Sequence, residues 1–256
     1  MSVCMWSSPM TFQMKKYVEK FGDYYGVTVY HIYQDRHMLE EFLGIESISY
    51  RKRLVELLKR EISWFSYQSR MLTSQELLSS PRIRYRDSRY KLSLPARIFD
   101  DLLICKLRSK FTLEKVKGSE DLRMEYERKE GEAEIGYRKR MEIYFHAGEW
   151  VKIIGIPDAI IGNVVLEFTI TRQSIRHIIG RAVIYAYMCM KENEGCTTLI
   201  VPTTVGGEEI GYLVVPNAMF LEYLSNELRE VMEREVEGKR IPFCRSCVYR
   251  KICPYS

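Results

Sequence analysis

No apolar run in this chain approaches the ~20 residues that a bilayer-spanning helix needs, so an integral helical membrane protein is not expected. The first residues, Met1-Ser2-Val3-Cys4-Met5-Trp6, lack a basic stretch followed by an apolar core. No secretory signal is read there, and the expected compartment is a reducing cytoplasm. Histidine is scarce, at four in 256 residues. Neither His146 nor His177 has a second ligand at metal spacing, and both read as surface or capping residues. A strong excess of one charge is also missing: 39 Lys and Arg against 34 Asp and Glu leave a net +5, which permits a polyanionic partner without demanding one. What is left, 46% hydrophobic and 29% charged, is the composition of a soluble globular protein. Its length suits one sizeable core, or one core with a small appended module, and is compatible with a homo-oligomer.

Cysteine is present in a pattern. Seven is an odd number, and clustered thiols in a reducing compartment are more often ligands than disulfides. Cys244, Cys247 and Cys253 form a C-x2-C-x5-C array. This spacing brings three thiolates within reach of one metal centre, whose fourth ligand must come from elsewhere in the fold. Cys189 and Cys196 are expected to pack as small apolar residues around a central helix, and Cys4 is left without a role.

From Met10 to Gly44 the spacing of Met14, Tyr17, Val18 and Phe21, with Gly22 and Gly26 as punctuation, predicts a helical pair. It reads either as a scaffold hairpin or as a helix-turn-helix. Arg51 to Gln68 reads as an amphipathic helix through Leu54, Leu57, Leu58, Ile62 and Phe65. Arg82-Ile83-Arg84-Tyr85-Arg86, followed by Arg89, Tyr90 and Lys91, alternates cations with aromatics. That mixture suits phosphate contact with base stacking, and equally a solvated connector. A boundary placed here gives a basic, mainly helical module over 1–92 and a second domain over 93–256. In the second domain, strands are expected at Glu142–Phe145, Trp150–Ile156, Asn163–Ile170, Thr197–Pro202 and Ile210–Val215, with helices at Arg172–Lys191 and Ala218–Val236. That order predicts an α/β fold with a mixed sheet flanked by helices.

Asp158, in Gly155-Ile156-Pro157-Asp158, stands at a strand end, and Glu167, in Val164-Val165-Leu166-Glu167-Phe168-Thr169, on the next strand. Two such carboxylates can share one divalent cation, the arrangement that metal-dependent phosphodiester hydrolysis requires. Together with the cysteines, this segment resembles the PD-(D/E)XK nuclease core of the RecB-like family, in which such an Asp precedes a strand ending in E-x-K and a helix carrying Q-x3-Y. Here the helix offers Arg181 and Tyr185, one turn apart. The branch ending in C-x2-C-x5-C has a further cysteine upstream, and Cys105, in Leu103-Ile104-Cys105-Lys106-Leu107-Arg108, matches it. The resemblance covers about Ser93 to Tyr255 and is nearest in size to the CRISPR-associated RecB-like exonucleases.

That resemblance implies a restriction-endonuclease-like fold with a Cys-rich tail, and a [4Fe-4S] cluster on Cys105, Cys244, Cys247 and Cys253, with tetrahedral zinc as the competing chemistry. It also implies Mg2+ or Mn2+ on Asp158 and Glu167, with Glu134 as a third oxygen ligand, and Tyr185 and Arg181 as further catalytic groups. The implied partners are single-stranded DNA and CRISPR integrase proteins, with no membrane. Three positions depart from the family pattern. The E-x-K lysine is Thr169, the Gln of Q-x3-Y is Arg181, and no His precedes Asp158 in the family's G-x3-H context. Arg172 or Arg181 would have to replace the lysine. Two functions therefore stand side by side: a metal-dependent exonuclease acting on single-stranded DNA ends, and a catalytically degraded DNA-binding or scaffolding subunit with Arg138, Lys139 and Arg140 along its cleft.

Overall fold

Two runs of mostly β-branched residues, Val164–Thr169 and Thr197–Pro202, are buried along their whole length and pair in parallel. Short apolar runs of this kind suit strands covered on both faces. A computed structural model describes residues 12–21, 23, 25–33, 57–73, 80–86, 89–114, 139–169, 175–202 and 209–255. Its elements are β1 (Gln13–Phe21), β2 (Tyr25–Tyr33), α1 (Ile62–Leu72), β3 (Ile83–Arg84), β4 (Ser93–Pro95), α2 (Ile98–Ile104), α3 (Lys106–Leu113), β5 (Met141–Ala147), β6 (Glu149–Gly155), β7 (Ala159–Ile161), β8 (Val164–Thr169), α4 (Ile179–Cys189), β9 (Thr197–Pro202), β10 (Glu209–Val214) and α5 (Ala218–Glu233), followed by a 3-10 turn at Pro242–Ser246.

The strands form two sheets, ordered β1-β2-β10-β9-β8-β7 and β3-β5-β6-β4. Both are mixed, since β8 and β9 run parallel, as do β4 and β6, while the other pairs are antiparallel. The expected α/β architecture flanked by helices is therefore present, but its strands are divided between two mixed sheets where one was expected. Along β8, Val164, Leu166 and Phe168 belong to a core shared with Phe65 of α1, whereas Val165 belongs to a core shared with Val183 of α4 and Leu224 of α5. Alternation puts Glu167 on the face of Val165, toward α4. Helix α5 is capped by the Asn217 side chain, which accepts from the Met219 N–H at 2.8 Å, and buries Phe220, Leu221, Leu224, Leu228 and Val231.

The N-terminal expectation is corrected. Residues 13–33 are two antiparallel strands, and β2 pairs with β10 inside the larger sheet. The supposed helical stripe is not buried as one: Val18 is 53% and Tyr17 43% exposed, while Val27, Val29 and Ile32 are fully buried. Strand-forming Val27, Thr28, Val29, Tyr30 and Ile32 find a partner strand in β10, and that tertiary pairing overrides the local helical period. The basic connector is likewise part of a sheet. Ile83 pairs with Phe145, the Lys91 N–H donates to the Trp150 carbonyl at 3.0 Å, and the Lys152 N–H donates to the Leu92 carbonyl at 3.0 Å. The helix expected from Arg172 is described from Ile179, and the helix expected to reach Val236 ends at Glu233.

Cys189 and Cys196 are buried, as expected of small apolar residues, but they are bonded to each other rather than free, and so tie the end of α4 to the start of β9. Gly180 sets the approach of α2 to α4, because a Cβ there would stand 2.9 Å from the Phe99 carbonyl oxygen and 3.0 Å from the Phe99 Cβ. Gly180→Ala is expected to destabilise the fold by roughly 1–3 kcal/mol, since backbone must shift to make room. The midpoint of urea unfolding checks this.

Candidate functional site

The acidic centre is built on three elements. Helix α2 places Asp100 and β8 places Glu167, while Arg181 projects between them from the first turn of α4. Arg181 Nη2 lies 2.9 Å from Glu167 Oε1 and its Nε lies 3.0 Å from Asp100 Oδ2. Its backbone N–H also donates to Asp100 Oδ1 at 3.2 Å. Glu167 is 4% and Asp100 6% exposed, so the two carboxylates share one buried guanidinium. Burial pushes Asp100 up to about 6, against the opposing pull of Arg181.

Tyr185 stands one turn beyond Arg181, whose guanidinium carbon is 6.0 Å from the ring centroid. Burial raises its hydroxyl, and the charge of Glu167 raises it further, so Tyr185 is a neutral phenol at any physiological pH. The ring packs over the end of β6, where a Cβ on Gly155 would meet Tyr185 Cε1 at 2.4 Å. Asp158 follows β6 and accepts from the Phe168 N–H through Oδ2 at 2.8 Å. This bond ties it to the residue beside Glu167, and its charge also bears on Tyr185.

The four predicted residues Asp158, Glu167, Arg181 and Tyr185 are therefore brought together. Glu134 and Arg172 lie outside the described residues, as does Arg138. Thr169 is buried at the end of β8 opposite Pro202, and Lys139 is ion-paired with Glu192. Asp100 was not foreseen as part of the centre. The signal available was the pair Asp100-Asp101 inside an otherwise apolar helix, where buried acids demand a cation.

A second constellation lies at the C-terminal end of α2. Cys105, Cys244, Cys247 and Cys253 stand outside the disulfide and line one cavity with Arg108, Phe111 and Tyr249. The 3-10 turn carries Cys244, whose sulfur accepts from the Ile241 N–H at 3.3 Å. Burial pushes the Cys247 thiol up, opposed by a hydrogen bond at Tyr249 and by the Arg108 guanidinium. Arg108 is in turn ion-paired with Asp101, which also accepts from Thr112 Oγ1 at 3.0 Å. Thr112 reaches Tyr249 Oη at 3.0 Å, so α2, α3 and the C-terminal segment are held as one unit.

The two implied groups fare differently against these side chains. Four cysteines lining one cavity, with a guanidinium beside them to offset negative charge, are of the donor type that iron-sulfur clusters and zinc take, although they are not drawn together as a metal-holding group here. The carboxylates do not fit a divalent cation as they stand. Arg181 already lies against Glu167 and Asp100, and a metal would have to share that space with a fixed positive charge. Among the described residues no group of three or more His, Cys, Asp or Glu side chains is arranged to hold a metal ion. The two histidines take structural parts: His146 Nδ1 lies 2.9 Å from Arg82 Nη1, and the His177 ring packs edge-on to Phe243 at 5.3 Å. Among the described residues no helix is long and apolar enough to cross a membrane.

Arg181→Ala leaves two carboxylates buried without their cation and is expected to destabilise the protein by about 3–5 kcal/mol, read as a shift in the denaturant midpoint. The pH dependence has a definite sign. Because the folded pKa of Asp100 is raised from 3.8 to about 6, the native state holds this proton more tightly than the unfolded chain. Its contribution to stability is greatest below 3.8 and is lost as pH rises through about 6. Relative to Asp100→Asn, the wild-type protein should lose stability across that window, as urea titrations on either side of it will show.

No family model matches the sequence, and no curated protein matches it. Among solved structures, SSO0001 is similar at 17% identity with a TM-score of 0.41, over 75% of this chain and 96% of that one.

Proposed function

We propose that this chain is a DNA-binding subunit built on a RecB-like nuclease fold, of the CRISPR-associated type, in which an arginine holds the acidic centre that a divalent metal would otherwise occupy. The position of Arg181 carries this reading. It stands where the family pattern has Gln, and its guanidinium bridges Glu167 and Asp100. Thr169, in the place of the lysine, supplies no charge to a reacting phosphate. A centre arranged in this way is stable without metal and gives the acids a structural task. Cys105, Cys244, Cys247 and Cys253 would hold a [4Fe-4S] cluster, whose contribution is to fasten the C-terminal segment to α2 and α3. Single-stranded DNA and CRISPR integrase proteins are the proposed partners.

Metal-dependent cleavage of single-stranded DNA ends is the second reading. The convergence of Asp158, Glu167 and Tyr185 favours it, and it requires Glu167 to be released from Arg181.

Anaerobic purification followed by metal analysis and incubation with labelled single-stranded DNA and Mn2+ separates these readings. The expected outcome is a brown, iron-containing protein that retards single-stranded DNA without digesting it, with retardation unchanged in Asp158→Ala and Glu167→Ala. Digestion abolished by Glu167→Ala would replace the binding reading by the exonuclease. Stoichiometric zinc in a colourless protein would remove the iron-sulfur assignment. Cys105→Ser and Cys247→Ser should each lower the bound iron, because each removes a thiolate from the set.

A further inference from the structure

The sheet β3-β5-β6-β4 has one face in the core and another that takes no part in the acidic centre. Ile143, Phe145, Val151 and Ile153 are fully buried against the helices. Their alternates, Tyr144 and His146 on β5 with Trp150 and Lys152 on β6, share the opposite face, and Arg84 of β3 is paired with Tyr144.

Aromatic rings and cations interleave on this face. The Arg84 guanidinium lies over the Trp150 ring, 4.2 Å from its centroid, and His146 packs edge-on to the same ring at 5.0 Å. Lys152 Nζ is 5.7 Å from the Tyr90 ring and 5.9 Å from that of Tyr144, and the two tyrosine centroids are 5.8 Å apart. Tyr90 is 45% exposed.

The acids described beside this face are already ion-paired. Glu142 is taken up by Lys152 at 2.7 Å and Glu149 by Lys91 at 2.7 Å, while Glu222 holds Arg82. Arg84, Arg86 and Arg89, all exposed, make no ion pair among the described residues. Folding has therefore carried Arg84 and Tyr90 onto the aromatic face of β5 and β6, which lies far from them in the sequence.

We propose that this face, centred on Arg84 and Trp150, is a stacking platform for the unpaired bases of single-stranded nucleic acid, with Arg84, Arg86 and Arg89 meeting its phosphates. Every base offers a π-face to an aromatic ring or a guanidinium plane, so the platform binds without strong sequence preference, while the exposed arginines supply the salt-dependent attraction. A duplex keeps its bases stacked on one another and presents only phosphates, so it gains less here. The inference rests on the nucleic-acid reading above but uses different side chains from the acidic centre.

Fluorescence anisotropy of the full-length protein with dye-labelled oligothymidylate, oligouridylate and a DNA duplex tests it. Trp150→Ala is expected to weaken single-strand binding roughly 5- to 100-fold and duplex binding much less, and Trp150→Phe to restore most of the loss. Arg84→Ala, at an exposed side chain outside the core, should weaken single-strand binding and flatten its salt dependence, which keeps the test decisive if Trp150→Ala does not fold. Whichever single strand binds more tightly identifies the ligand. Wild-type affinity for both single strands in Trp150→Ala or Arg84→Ala would overturn the platform and leave the DNA-binding reading standing. A wild-type protein that binds none of the three probes would overturn both.

Discussion

The arrangement of this protein turns on one buried guanidinium. Arg181 joins α4 to α2 through Asp100 and to β8 through Glu167, so a helix, its neighbour and a strand of the parallel pair are fixed to a single charge. Without it two carboxylates would be buried in a low-dielectric interior with no guanidinium to offset them, and neither has solvent to fall back on. The close approach of α2 and α4 at Gly180, and the seating of Tyr185 over Gly155, bring the backbone near enough for the bridge to form. Packing and electrostatics here require each other: larger residues at either glycine would move the guanidinium off its acids.

The adjacent acids of α2 give the two constellations a shared support. Asp100 turns toward Arg181, and Asp101, its neighbour in the chain, turns toward Arg108 at the edge of the thiol cavity. Each acid is matched by an arginine from a different helix, so no charge is left uncompensated on the short element between the two sites. A displacement of α2 would disturb both sites at once. The second tie, the bond between Cys189 and Cys196, acts on the opposite end of α4 and closes a short loop. Loop-entropy arguments assign a closure of this size about 2–3 kcal/mol.

Much of the second half of the chain was legible in sequence because its local signals agree with its fold. The strands around Val151, Val165 and Ile200 and the amphipathic helix from Ala218 carry short β-branched runs or a clear helical face, and glycines or a capping Asn217 mark their ends. Asp158, Glu167, Arg181 and Tyr185 could be placed together because each sits at a strand end or on one face of a helix. The first strands were misread for a specific reason: Met14, Tyr17, Val18 and Phe21 fall at helical spacing, yet their partners lie in β2, whose own place is decided by tertiary pairing with β10. Asp100 was missed because an acid's role depends on which cation the fold delivers to it. The spacing of Cys189 and Cys196 did not reveal their bond, since the turn between α4 and β9 that brings them together is a property of the folded chain.

The order of the larger sheet has a kinetic side. Strand β2 lies next to β10, and Val29 faces Val214 across the ladder, although most of the described chain separates them. Such a pairing closes a very long loop, whose entropy must be overcome before the contact yields any stabilisation. During synthesis the β1–β2 hairpin emerges early, with the edge of β2 bare and Val27, Val29 and Ile32 uncovered, and it must remain so until β10 has been made. The interval between those events is when this chain is most exposed to pairing with the wrong strand, its own or a neighbour's.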